Sequence, residues 1–229
     1  MTERFFKFPS TPHLFTLPGI DIRDDKVLTE SECSILLRNE LTVEEKVDGA
    51  NLGISFDAEG NILAQNRGDY LRVPWSGQWK KLGEWLAPRT DVLLEHLSDR
   101  FILFGEWCCA RHSLFYDRLP DWFLAFDIYD RQSERFLSSP RRDRILGELN
   151  VCGVPTLARG NFSLSALQTF MARSKLTDQP AEGIYVRVDH GDWLVQRAKL
   201  VRAGFIQNGD QHWSRSGVKP NKLLPKVRS

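Results

Sequence analysis

The stretch EEKVDGAN, Glu44–Asn51, sets a lysine after the strand-forming run Leu41–Glu45 and before Asp48 and Gly49. Lys46 thus stands where a strand ends and the backbone turns, a position that can hold a primary amine rigidly against a ligand. Alone, so short a match arises easily and reads as a surface lysine at the mouth of a loop. Further residues follow it in order. FILFGEW, Phe101–Trp107, puts Ile102, Phe104 and Glu106 on one face by the two-residue period of a strand, so an acid ends an apolar stripe. FLAFDIYD offers Phe126 and Asp127 on opposite faces, EGIYVRV opens with Glu182, and LVQRAKLV puts Arg197 and Lys199 on a shared face. An unpaired acid is costly at the end of an apolar strand, which makes Glu106 and Glu182 stronger site candidates than a solvated hairpin arginine such as Arg67.

These residues need rigid elements to carry them. Alternating or β-rich patterns predict strands over Leu41–Glu45, Leu52–Phe56, Ile62–Asn66, Phe101–Trp107, Trp122–Tyr129, Gly183–Val188 and Trp193–Val201. Helical spacing covers Trp79–Leu86, Thr90–Leu97, Arg141–Leu149 and Leu164–Arg173, with Ser139-Pro140 and Ser163 as helix starts. DAEGN and VDHGDW are turn signals that join successive strands into hairpins. The sum is an α+β protein with antiparallel sheets flanked by helices.

Composition sets bounds on this picture. A chain of 229 residues with 41% hydrophobic and 27% charged residues has enough apolar material for one sizeable core. Its formal net charge of +1 gives no global field for a polyanion, so any such affinity must be local. The N-terminus, interrupted by Glu3, Pro9 and Pro12, lacks the apolar core of a secretion signal, and no apolar run reaches membrane-span length. Cys33, Cys108, Cys109 and Cys152 form no paired zinc-type motif and read as reduced cysteines of a cytoplasmic protein. His13 in STPHLF and His112 in CCARHS draw notice, but a single histidine is more often a polar surface or satisfied core residue than a catalyst. His96, His190 and His212 have no convergent motif, and the vicinal Cys108-Cys109 pair reads as packing.

Taken in order, these segments resemble the covalent nucleotidyltransferases, the superfamily of ATP-dependent RNA and DNA ligases and mRNA capping enzymes, and most nearly RNA ligases of the T4 RNA ligase 2 type. KVDG looks like the nucleophile motif, FGEW like motif III, FLAFDIYD like motif IIIa, EGIYVR like motif IV and RAK like motif V; the likeness runs from Phe8 to about Val201. It implies the nucleotidyltransferase (ATP-grasp-like ligase adenylation) fold. It also implies an adenylyltransferase domain over residues 1–203, with residues 204–229 as a short C-terminal extension and no OB-fold domain.

The resemblance implies an ATP-dependent RNA ligase in which Lys46 attacks the α-phosphorus of ATP and carries AMP. The AMP passes to a 5′-phosphate end, and a 3′-hydroxyl end then expels it. The attacking amine must be neutral, whereas a free lysine is protonated at pH 7; neighbouring cations and partial desolvation lower its pKa, and Arg197 and Lys199 are the candidate cations. RAK departs from the family's usual KxK: arginine keeps the charge and adds a bidentate fork, but does not act as a compact lysine does. By resemblance Glu106 bonds the ribose hydroxyls, Phe126 stacks on adenine, and Glu45, Asn51 and Arg67 contact the nucleotide or strand ends. Glu182 and Asp127 are the carboxylates for Mg²⁺ or Mn²⁺. The implied partners are RNA ends, including those of a nicked duplex, and an end-healing kinase or phosphatase in RNA repair. A minimal DNA ligase and a catalytically impaired end-binding module are the competing readings.

Overall fold

A computed structural model describes residues 5–16, 27–202 and 219–225. Its elements in chain order are α1 (Glu30–Leu37), β1 (Leu41–Lys46), β2 (Ala50–Phe56), β3 (Ile62–Gln65), α2 (Leu82–Leu86), α3 (Thr90–Leu97), β4 (Phe101–Trp107), β5 (Phe123–Asp130), β6 (Arg135–Phe136), α4 (Ser139–Glu148), β7 (Thr156–Gly160), α5 (Leu164–Thr169), β8 (Gly183–His190) and β9 (Trp193–Val201). The strands form two antiparallel sheets, ordered β7-β1-β8-β9 and β3-β2-β4-β5-β6. All seven expected strands and all four expected helices are present, with ends shifted by a few residues.

The expected hairpins form where their turn residues fall. Gly60 and Gly191 take the positive φ that DAEGN and VDHGDW demand. Three elements do not show in the sequence pattern: α1, β7 and the two-residue β6. Helix α1 is nearly featureless in hydrophobic spacing but has a complete capping box: Thr29 Oγ1 accepts from the Glu32 amide, and the Glu32 carboxylate accepts from the Thr29 amide. Strand β7, TLARG, lies at a sheet edge with little buried surface, so its residues carry no strong alternation.

Three apolar layers hold the sheets. One packs Leu52, Ile54, Phe56, Leu103, Trp107 and Phe123 of the five-stranded sheet against α2, α3 and α4. A second packs Leu41, Val43, Ile184, Val186, Ala198 and Leu200 of the four-stranded sheet against α1 and α5. Between the sheets, Phe8, Ile102, Phe104, Leu124 and Phe126 supply an apolar wall. The opposing face of the four-stranded sheet is polar, and this mismatch marks the place where chemistry is possible. Among the described residues no helix is long and apolar enough to cross a membrane.

The tail, read from the sequence as a separate extension, is partly built into this body. Residues 219–225 hydrogen-bond along the segment 109–119. The rest of the expected extension, residues 204–218 and 226–229, lies outside the described residues.

Candidate active site

Strand β1 belongs to one sheet and β2 to the other, so the three-residue loop Val47–Gly49 carries the chain across the gap. Lys46 is the last residue before the crossing and Asn51 stands just after it. Val47, 2% exposed, anchors the loop between the sheets. The Asp48 carboxylate accepts from the backbone amides of Ser113 (2.7 Å) and Leu114 (2.9 Å), while the Asp48 amide donates to the Tyr116 hydroxyl at 2.8 Å. Gly49 passes so close to β4 that a Cβ there would meet the Trp107 carbonyl oxygen at 3.0 Å and Cys108 Sγ at 3.1 Å. Only glycine fits this crossing without displacing the strand end.

The two-residue period decides which side chains reach the gap. Glu44 and Lys46 of β1 point inward, together with Tyr185 and Arg187 of β8, which are paired with Lys199 and Arg197 of β9. Opposite Lys46 in the ladder is Gly183, where a Cβ would come within 2.2 Å of the Leu200 carbonyl oxygen. Glu182 precedes it and reaches Lys46: Nζ lies 2.5 Å from Glu182 Oε1. From the other sheet Asn51 and Glu106 stand directly opposite one another in the β2–β4 ladder. Asn51 Oδ1, Glu106 Oε2 and Glu182 Oε2 are all buried without a hydrogen-bond partner. Buried oxygens left unsatisfied cost stability. Glu182 and Glu106 both act on Lys46, and Asn51 stands opposite Glu106, so the three mark a site built for a polar ligand.

The electrostatics follow from this crowding of acids. Burial works against the charged amine of Lys46, but Glu182, Tyr185 and Glu106 outweigh it and hold the pKa above the ordinary lysine value. This corrects the expectation that neighbouring cations depress it: the dominant charges around Lys46 are acidic. Burial is the main cause that pushes Glu106 up to about 8, with repulsion from Glu182 and Asp48 adding to it and Lys46 and Arg67 opposing. Burial likewise raises the Glu182 carboxyl against the opposing pull of Lys46 and, more weakly, Lys199. Arg67, exposed in the loop fixed by Asn66 Oδ1, is near enough to act on Glu106.

Four assignments change. Glu45, expected at the nucleotide, faces the opposite side of β1 from Lys46; its carboxylate accepts from Ser174 Oγ at 2.5 Å and the Lys175 amide at 2.8 Å. Asp127, expected beside the metal, has both oxygens engaged by guanidinium groups, Oδ1 by Arg187 at 2.7 Å and Oδ2 by Arg197. Arg197, expected as a phosphate clamp, is drawn to Asp127, with its guanidinium 4.4 Å from the Phe8 ring centre and 4.5 Å from that of Phe136. Phe126 and Asp127 do not face opposite ways. The β4–β5 register slips between Phe104–Asp127 and Gly105–Ala125, leaving Phe126 as the extra residue of a bulge. Both residues therefore line one small inter-sheet cavity with Phe8, Glu44, Tyr185 and Arg187.

A buried charge cluster beside the site was not read from the sequence. Arg142 of α4 donates to Glu44 at 2.6 Å and to the Phe126 carbonyl at 2.6 Å, and Arg187 donates to Asp127, Ser139 Oγ and the Leu137 carbonyl. Glu44 and Arg187 could have been found, because strand period puts them on the faces of Lys46 and Arg197. Arg142 sits in SPRRDR, where nothing local distinguishes it from Arg141.

The fold is of the nucleotidyltransferase type. Within that class the chain belongs to the RNA ligase family, whose model matches residues 39–201. Among solved structures it is similar to the Naegleria gruberi RNA ligase with PPi, at 19% identity and a TM-score of 0.59, covering 90% of this chain and 63% of that one. A mutant of the same ligase with ATP and Mn matches at 18% identity and TM-score 0.54, covering 75% and 51%; another with AMP and Mn matches at 19% and 0.56, covering 76% and 53%. This chain thus spans about half to under two thirds of those structures' length. No curated protein matches it.

Proposed function

We propose that this protein is an ATP-dependent RNA ligase that carries AMP on Lys46, transfers it to a 5′-phosphate end and releases it when a 3′-hydroxyl end attacks. The observation that carries the reading is the Lys46 amine set against two buried carboxylates, Glu182 and Glu106, each with an unpartnered oxygen, in a chain of the RNA ligase family. For the first step Nζ passes a proton to Glu182, the carboxylate 2.5 Å away, and the neutral amine then parts from it. The lone pair then forms the N–P bond as the bond to pyrophosphate breaks. Lys199 stands near enough to Glu182 to offset charge building on the phosphate. Glu106, with its pKa near 8, is largely protonated at neutral pH and can both donate to and accept from a ribose hydroxyl. Phe126, beside Tyr185, supplies an aromatic wall for the base.

The donor set fits a divalent ion shared with substrate phosphates rather than a protein cage. Glu182 Oε2 and Asn51 Oδ1 are hard oxygens without partners, and no cluster of three or more acidic, histidine or cysteine ligands occurs among the described residues. Bound there, Mg²⁺ or Mn²⁺ would neutralise phosphate charge. The Naegleria ligases solved with ATP or AMP and Mn, and with PPi, contain the donor, the nucleotide and the leaving group of such a reaction. Ends with a 5′-phosphate and a 3′-hydroxyl are what a kinase or phosphatase end-healing step delivers, which fits RNA repair.

Strand-swapped nicked duplexes test the substrate. Sealing is expected when the 3′-hydroxyl strand is RNA; equal sealing of all-DNA nicks would replace this reading with a minimal DNA ligase.

A further inference from the structure

Asn221 is the polar hub of the tail segment and is 2% exposed. Its Oδ1 accepts from the Tyr116 amide at 2.9 Å, and its Nδ2 donates to the carbonyls of Cys108 (2.8 Å) and Ala110 (3.1 Å). The backbone around it is tied to the same stretch: Arg111 donates to the Lys219 carbonyl at 2.7 Å, Lys222 to that of Tyr116 at 2.8 Å, and Leu224 to that of Leu119 at 2.8 Å. The stretch so held begins directly after Trp107, the residue that ends β4. Its middle grips the crossing loop, through the Ser113 and Leu114 amides on the Asp48 carboxylate and the Tyr116 hydroxyl on the Asp48 amide. Tyr116 is fully buried, so water does not substitute for either of its contacts.

Tyr116 therefore links the two ends: its amide is held by Asn221 in a buried hydrogen bond, and its hydroxyl holds Asp48, two residues from Lys46, in a part-buried one. We propose that residues 219–225 are a positioning element for nucleotidyl transfer, with Asn221 fixing the Val47–Gly49 crossing and thereby the approach of the Lys46 amine. The proposal rests on the reading of Lys46 as the AMP carrier. In-line attack tolerates little misplacement of the nucleophile. Loosening the crossing should accordingly slow adduct formation more than it weakens nucleotide binding.

Single-turnover formation of the protein–AMP adduct from α-labelled ATP, in the full chain, decides it. Asn221→Ala and Tyr116→Phe are each expected to lower the rate constant at saturating ATP about tenfold to a hundredfold. The ATP concentration for half-saturation and the final labelled fraction should stay at wild-type values. Because both changes cut the same linkage, the double variant should be little slower than the worse single one. Wild-type rate constants, or a reduced labelled fraction with an unchanged rate constant, would mean that the tail only packs and would overturn the proposal. Should Asn221→Ala not fold, Tyr116→Phe, which deletes a single acceptor, is judged on the same rate constant. Absence of label on wild type would instead overturn the AMP-carrier reading, and this proposal with it.

Discussion

Two groups of charges share the space between the sheets, and they are finished differently. In the Glu44–Asp127–Arg142–Arg187–Arg197 cluster the guanidinium groups meet carboxylates, and three of the four Arg–acid contacts are at hydrogen-bonding range. It ties β1, β5, β8, β9 and α4 together. Around Lys46, a few residues along the same strands, Asn51, Glu106 and Glu182 each keep one oxygen unspent. Closed charges hold the scaffold, while open ones wait for a ligand. The difference explains why two family-type positions changed meaning: Asp127 and Arg197 belong to the closed group, to which Phe126 lends only its backbone carbonyl.

The contrast can be broken from either side. Arg142→Met should have the largest effect, because it leaves Glu44 buried with only Arg187 at 3.9 Å; removing one partner of such a pair costs about 3–5 kcal/mol, read by denaturant unfolding. Next, Asn51→Ala should leave the unfolding midpoint near wild type yet slow adduct formation by about a hundredfold, or about 2.7 kcal/mol, the usual loss of one preorganised polar contact to a reacting phosphate. If Asn51→Ala instead unfolded the protein as Arg142→Met does, the open group would be scaffold too.

The smallest effect concerns Glu106 and pH. Its folded pKa of about 8 lies above the ordinary glutamate value, so the folded state binds the extra proton. The stabilisation is fully present below the unfolded pKa and is lost as pH rises toward 8. Melting midpoints should fall across that window in wild type and fall less in Glu106→Gln. An equal fall in both would place the titrating group elsewhere.

Much of this is legible in the sequence. The period of FILFGEW correctly put Glu106 at the end of an apolar stripe, and LVQRAKLV put Arg197 and Lys199 on one face, because strand alternation is local. What was not legible depended on partners far along the chain. The β5 bulge at Phe126 comes from its register with β4, Arg142 earns its place only by meeting Glu44, and Asn221 matters only against Tyr116. The lysine environment was misjudged for the same reason: spacing brings basic residues onto its sheet, but the three-dimensional pairing of Arg197 with Asp127 leaves Lys46 facing acids.

The central claim is that Lys46 carries AMP. Incubation with ATP and Mg²⁺, followed by denaturation and peptide mass spectrometry, tests it most directly. The account predicts an AMP adduct on the peptide containing Lys46 that is released by added pyrophosphate and absent from Lys46→Ala. An adduct on another residue, or one that persists in Lys46→Ala, would contradict it.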